Sequence, residues 1–124
     1  MKIIKADKAP AAIGPYCHGI KAGNFIYTSG QLPVDPSTGN LVEGIEKQTE
    51  QSLTNVATIL AAEGYSLNDV VKTTVFLSDI KNFGAMNEVY AKMFGNHKPA
   101  RSCYQVAKLP KDALVEIEVV AYKG

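Results

Sequence analysis

The sequence of 124 residues has few of the residues that mark several large classes of protein. It contains two cysteines and two histidines, no CxxC pair, and no apolar run near the roughly 20 residues that span a bilayer. We therefore expect free thiols, no metal site and no membrane span. The first twelve residues lack the apolar core of a secretory signal. This composition predicts a soluble, cytoplasmic chain that forms one domain over residues 1–124.

The sequence also has almost no excess of charge of either sign. Thirteen basic residues stand against twelve acidic ones, for a net charge of +1. This balance argues against a protein that mainly binds nucleic acid or an anionic membrane through phosphate contacts. Twelve of the thirteen basic residues are lysine, and only Arg101 offers a planar guanidinium fork. Arg101 is therefore either an anchor for a substrate carboxylate or a surface arginine without a function.

The periodicity of apolar residues predicts five strands and two helices. The helices lie at 46–63 and from 79 or 80 to 94, where Gly64 and Gly95 are suited to end them. The segment 33–40 has the residues of a turn. The predicted strands are 2–5, 24–32, 69–78, 101–106 and 114–122. The order β-β-α-β-α-β-β predicts an α+β fold, a mixed sheet with both helices packed on one face.

The predicted sheet has one apolar face and one mixed face. The apolar residues of the last strand, suited to lie under the helices, are Val115, Ile117, Val119 and Ala121. The mixed face of the same strand has Glu116, Glu118, Val120 and Tyr122. On strand 69–78 the mixed face has Val70, Lys72, Thr74 and Phe76. The pattern favours equally a subunit interface and an amphipathic face in solvent.

Two polar positions on strands are candidates for chemistry. Glu116 interrupts an apolar strand, so it is either a general base that handles water or an outward-facing carboxylate. Glu118, two positions on, supports the second interpretation. Ser29 supplies a hydroxyl and an amide, and Gly30 allows close backbone approach. Ser29 is not part of a GxSxG motif, the sequence that surrounds the nucleophile of α/β-hydrolases, so a serine nucleophile is not favoured.

Three further residues are weaker candidates. Tyr16 follows the rigid Gly14-Pro15 turn, and it is either a ligand or a packing residue. Asn87 lies on the second predicted helix, where a solvated role is the alternative. Cys103 follows Arg101 by two residues and so shares its strand face, about 6–7 Å away along the strand. Nothing in the spacing favours a Cys–His nucleophile over a buried thiol.

Several of these segments occur together in one known family. They are Gly14-Pro15-Tyr16, Ser29-Gly30-Gln31, VVKTTVFL at 70–77, Asn87-Glu88-Val89-Tyr90 and PARSCYQVAKLPKDALVEIEVVA at 99–121. The chain resembles, from end to end, the Rid family of reactive intermediate deaminases, also called YjgF-like proteins. Its most specific motif is the Pro-Ala-Arg segment followed, after a Leu-Pro loop, by Val-Glu-Ile.

The resemblance implies a chorismate-mutase-like α+β fold and a homotrimer with substrate clefts between subunits. It implies hydrolysis of 2-iminopropanoate and 2-iminobutanoate, with enamine tautomers such as 2-aminoacrylate, to 2-oxo acids and ammonia. Pyridoxal-phosphate dehydratases release these imines from serine and threonine, so a functional link without direct binding is expected. No cofactor or metal is implied. By motif position, Arg101 would bind the substrate carboxylate and Glu116 would handle water. The cleft would be lined by Tyr16, Ser29, Gly30, Asn87 and Cys103.

The chain departs from the family pattern at Cys17-His18-Gly19, where relatives usually have Ser-Gln-Ala. This departure follows Tyr16 directly and bears on substrate preference. Other members of the family have been described as translation inhibitors acting on RNA, as regulators or as holdase chaperones. Such a binding role is the alternative to the deaminase, as is a Rid-type hydrolysis of a different imine. The near-neutral charge makes RNA the less favoured ligand.

Overall fold

Two helices cover one face of a six-stranded sheet in the computed structural model, which describes residues 1–124. The helices are α1 (Ile45–Ala61) and α2 (Phe83–Phe94). The strands are β1 (Lys2–Ile4), β2 (Gly19–Ala22), β3 (Phe25–Thr28), β4 (Val34–Asp35), β5 (Asn40–Leu41), β6 (Val70–Leu77), β7 (Ala100–Gln105) and β8 (Val115–Tyr122). The predicted α+β class, a mixed sheet with two helices, is confirmed. Neither helix has the length and apolarity needed to cross a membrane.

The sheet has the strand order β1-β2-β3-β8-β6-β7. Every pair is antiparallel except β6 and β7, which run parallel. A parallel pair needs a crossover connection, and α2 supplies it. The strand β6 therefore lies between β7 and β8, although β7 and β8 are consecutive in the chain. This order decides where the candidate site residues fall.

The sequence-based prediction missed three short strands. The strand β2 has four residues, too few for an alternating pattern to show, and it begins with a glycine. The backbone there is closely packed, since a Cβ on Gly19 would lie 3.0 Å from the carbonyl oxygen of Tyr27. The segment predicted as a turn, 33–40, contains most of a small hairpin made by β4 and β5. The predicted strand 24–32 is shorter and ends at Thr28.

The predicted face assignment holds for β8 and is wrong at one position of β6. The inward residues of β8 are buried, as expected: Val115, Ile117, Val119 and Ala121. On β6, a register shift opposite β8 falls between Val70 and Lys72. This bulge inserts Val71 as an extra residue, so Val70 lies on the helix face and is fully buried. Past the bulge, Lys72, Thr74 and Phe76 lie on the open face as predicted.

Two amide side chains on α1 fix the segments that flank the sheet. Asn55, buried to 1% exposure, donates from Nδ2 to the carbonyls of Leu32 (3.0 Å) and Val34 (2.9 Å). Gln48 donates to the Val42 carbonyl and accepts from the Leu114 N–H. Because polar groups removed from water must be paired, these amides hold the β4–β5 hairpin and the start of β8 against the helix.

Replacing Asn55 with alanine should detach the hairpin from α1. Two largely buried carbonyls would lose their donors, so the free energy of unfolding should fall by about 2–3 kcal/mol. Chemical denaturation measures this change. Thr58→Ala on the same helix is the control, because its hydroxyl donates only to the Thr54 carbonyl within the helix. An equal loss in both variants would show that Asn55 does not hold the hairpin.

Candidate functional site

A cavity of about 1270 Å³ opens on the uncovered face of the sheet. The segment 7–13, the β4–β5 hairpin and the open face of β6 and β8 form its walls. Four of the seven predicted site residues line this cavity together. We call them the glutamate group: Tyr16, Ser29, Gly30 and Glu116.

The backbone at Gly30 lies directly against the carboxyl group of Glu116. A Cβ at position 30 would be 2.8 Å from Glu116 Cδ, so only glycine allows this approach. Paired backbone hydrogen bonds between Gln31 and Ile117, 2.8 and 3.2 Å long, hold the segment there. The Gly30 N–H has no acceptor in the chain. It is a free donor beside the carboxyl group.

The hydroxyl and the amide of Ser29 are both engaged. The hydroxyl donates to the Cys17 carbonyl at 2.7 Å, and the amide donates to the His18 carbonyl at 2.9 Å. Ser29 therefore offers lone pairs on its hydroxyl oxygen but no free amide. The free backbone donor here is therefore the N–H of Gly30 and not that of Ser29.

Glu116 is a half-buried carboxyl group without a cationic partner. No lysine, arginine or hydrogen-bond donor of the chain pairs with it. Burial raises the pKa of Glu116, and the charge of Glu118 on the same face raises it further. A carboxyl group with a raised pKa is a stronger base than an exposed one, and this is the property that a general base needs.

Arg101 lies beneath α2, on the edge strand β7. Its Nη1 donates to Asn87 Oδ1 at 2.6 Å. The guanidinium carbon is 4.8 Å from the ring centre of Tyr90 and 5.4 Å from that of Phe83. The Tyr90 hydroxyl in turn bonds to Thr73 Oγ1 at 2.7 Å. The aromatic rings fix the plane of the guanidinium, and no carboxylate of the chain neutralises it.

Cys103 shares the strand face of Arg101, as predicted, and is a free thiol. Burial raises the pKa of Cys103, and the nearby Arg101 charge partly offsets this. The group stays protonated at neutral pH and is a weak nucleophile. The hydrogen bonds of His18 and His97 go to backbone groups and not to this thiol. We call Asn87, Arg101 and Cys103 the arginine group.

The two groups lie on opposite faces of the sheet. In the register of β6, Arg101 is opposite Thr73, which is fully buried beneath the helices. Glu116 is opposite Phe76, which lies on the open face. Paired residues on neighbouring strands point to the same side. Within one chain, therefore, the structure brings together the members of each group but not the two groups.

Two residues beside Arg101 were missed by the sequence analysis as site residues. Phe83 and Tyr90 are apolar residues of the second helix, and the sequence did not connect either of them with Arg101. Phe83 lies four residues before Asn87, and Tyr90 lies three residues after it. This spacing places all three residues on one face of the helix. The spacing was visible in the sequence, but the contact with Arg101 depends on how α2 crosses β7. No cluster of three His, Cys, Asp or Glu side chains is present.

Comparison with known proteins identifies the family. The profile of the family described as endoribonuclease L-PSP matches residues 6–123. The chain belongs to this family. It is the Rid, or YjgF-like, family indicated by the sequence motifs, and its members include proteins named as deaminases.

Three relatives illustrate the range of names in the Rid family. A RutC family protein of Pyrococcus horikoshii is 55% identical over 123 residues, 98% of each chain. The 2-iminobutanoate/2-iminopropanoate deaminase of Salmonella typhimurium is 48% identical over 125 residues, again 98% of each chain. The crystal structure of Escherichia coli TdcF with bound serine has a TM-score of 0.96 and 46% identity, and covers 100% of both chains.

Replacing Glu116 with glutamine should stabilise the protein at neutral pH. Because the pKa of Glu116 is raised in the folded state, that state binds the proton more tightly than the unfolded state does. The ionised carboxylate is therefore unfavourable at pH 7, and the penalty disappears below about pH 4. The melting temperature of Glu116→Gln should exceed that of the wild type at pH 7 and converge with it in acid.

The matched control is Glu88→Gln on the exposed face of α2, which should change little at either pH. If Glu116→Gln gave no gain at pH 7, or the same gain in acid, the inferred pKa shift would be wrong.

Proposed function

We propose that the protein hydrolyses small 2-imino acids, chiefly 2-iminopropanoate and 2-iminobutanoate with their enamine tautomers, to 2-oxo acids and ammonia. The observation that carries this proposal is the unpaired, half-buried Glu116 carboxyl beside the free Gly30 N–H. The Salmonella relative is named for this activity. The TdcF structure contains serine, whose size and carboxylate resemble those of the proposed substrates.

The proposal includes an assembly, because one chain does not bring both groups to one cleft. In a ring, each copy can present the glutamate group to the arginine group of the next copy. The resemblance to the Rid family indicates that three copies close the ring. Exposed aromatic side chains on the open face are consistent with such contacts: Phe25, Tyr27, Tyr104 and Tyr122.

The proposed chemistry needs an anchor and a base. Arg101 uses one N–H on Asn87 and retains other N–H groups that form two charge-assisted hydrogen bonds to the substrate carboxylate. This contact fixes the position of the imine carbon. As water attacks that carbon, Glu116 accepts a proton from the water and returns it to the nitrogen, which takes the electron pair of the C=N double bond. The remaining hydroxyl proton passes to the nitrogen as the C–N bond breaks and the C=O bond forms, which releases ammonia and the 2-oxo acid.

A role on RNA is the second candidate, since the matching family is described as an endoribonuclease. The net charge of +1 and the single arginine do not favour a phosphate-binding surface. The histidine that lines the cavity, His18, has both ring nitrogens bonded to backbone groups of Ala6 and Pro10, so neither is free to act as a general acid or base. The deaminase therefore accounts better for the residues that the fold holds in place.

Replacing Arg101 with lysine should remove most of the deaminase activity although the charge is kept. A lysine ammonium neither forms two parallel hydrogen bonds nor fits between the rings of Phe83 and Tyr90, so we expect at least about a tenfold loss. The assay couples the protein to a threonine dehydratase and follows 2-oxobutanoate release above spontaneous hydrolysis. The control is Lys92→Arg on the exposed part of α2. Near-normal activity of Arg101→Lys would exclude the anchor role.

Two inactive variants should restore activity when they form mixed assemblies. Arg101→Ala and Glu116→Gln should each be inactive alone. When they are unfolded and refolded together, random mixing pairs two intact groups in about a quarter of the clefts. The recovered rate of 2-oxobutanoate release should approach that fraction of the wild-type rate. No recovery, in assemblies shown to be mixed by native mass spectrometry, would contradict a site shared between copies.

A further inference from the structure

The segment Ala6–Tyr16 forms a wall of the cavity and is held by very few hydrogen bonds. Its internal bonds are short-range, such as the Tyr16 N–H to the Gly14 carbonyl. Only two hydrogen bonds connect the segment to the rest of the chain, and both go to the ring of His18. The Ala6 N–H donates to Nδ1 at 2.9 Å, and Nε2 bonds to the Pro10 carbonyl at 2.8 Å.

His18 is itself held firmly against the glutamate group. Its ring is buried, with 7% exposure, and it lines the same cavity as Glu116. Its carbonyl accepts the Ser29 N–H at 2.9 Å. One residue therefore connects the Ala6–Tyr16 segment to the end of β3, where Ser29 and Gly30 lie.

The two partners of the ring decide its protonation state. A backbone N–H can only donate, so Nδ1 must present its lone pair to Ala6. A carbonyl oxygen can only accept, so Nε2 must carry the hydrogen that points to Pro10. The ring is therefore neutral. A second proton would place an N–H of His18 against the N–H of Ala6, and this contact is repulsive.

We propose that His18 is a positioning residue whose neutral ring holds the Ala6–Tyr16 segment, and with it Tyr16, in place for substrate binding. This inference rests on the proposed function and extends it. A side chain at position 18 that makes neither bond leaves the segment without these two contacts, so the affinity for a 2-oxo or 2-imino acid falls in proportion to the fraction of protein in the competent form.

Glutamine at position 18 separates this proposal from a purely structural role. Its amide oxygen can accept from the Ala6 N–H while its amide nitrogen donates to the Pro10 carbonyl, and it carries no charge at any pH. The dissociation constant for 2-oxobutanoate, the product of the proposed reaction, is measured by calorimetry at pH 7.5. The value for His18→Gln should stay close to that of the wild type, whereas the value for His18→Ala should rise about threefold or more.

His97→Gln is the control. It removes the other histidine, whose Nε2 bonds to the Val70 carbonyl, and should keep the wild-type affinity. The proposal would be overturned if His18→Ala bound as tightly as the wild type, or if His18→Gln bound as weakly as His18→Ala.

A readout that does not depend on ligand binding separates the proposal from the proposed function. Long-range ¹H–¹⁵N spectra of the wild type at neutral pH should show His18 protonated at Nε2 only. The Ala6 amide signal should move in His18→Ala, where its acceptor is lost. A proton on Nδ1 at neutral pH, or an Ala6 amide signal that does not change in His18→Ala, would overturn the positioning role. Failure to bind 2-oxobutanoate while both signals behave as expected would count against the deaminase and support the contact made by His18.

Discussion

The alternation of side chains along β6 is the constraint on which the arrangement of this protein depends. The strand is hydrogen-bonded to β7 on one side and to β8 on the other. Its register places Arg101 on the helix-covered face and Glu116 on the open face. A shift of one residue would exchange those faces and bury charged groups in the core, so packing fixes the register firmly. The two candidate groups therefore lie on opposite faces because the packing of the core fixes the register of β6.

Each group is incomplete in a different chemical sense. The guanidinium of Arg101 is surrounded by aromatic rings and an amide oxygen but has no anion. The carboxyl group of Glu116 is half-buried and has no cation. Fold stability alone would favour pairing such charges or removing them, because an unpaired charge away from water is unfavourable. Their isolation is typical of groups kept available for a ligand.

Much of the fold could be predicted from the sequence because its long elements have strong periodicity. The helix α1 and the strand β8 each present a regular apolar stripe, and both were placed within two residues of their observed bounds. The short strand β2 has no pattern to detect, and the bulge at Val71 reverses the alternation on which the face of Val70 was predicted.

The site was predictable only in part. The family motif identified Arg101 and Glu116 as candidates, but no local pattern reveals that β6 lies between their strands. Strand order and register are long-range properties, set by how the whole core packs. The aromatic neighbours of Arg101 share one face of α2, yet their contact with it depends on the same packing. The two bonds of His18 join it to residues eight and twelve positions away, in a segment with no regular structure to suggest them.

Because Gly30 lies so close to Glu116, the residue tolerated at one of these positions depends on the residue at the other. A methyl group at position 30 would overlap the carboxyl carbon of Glu116, so alanine there requires the acid to move or to become shorter. Conversely, a shorter acid such as aspartate at position 116 would leave unfilled space above the glycine. A designer who wishes to change the size of the side chain at either position must therefore choose both residues together.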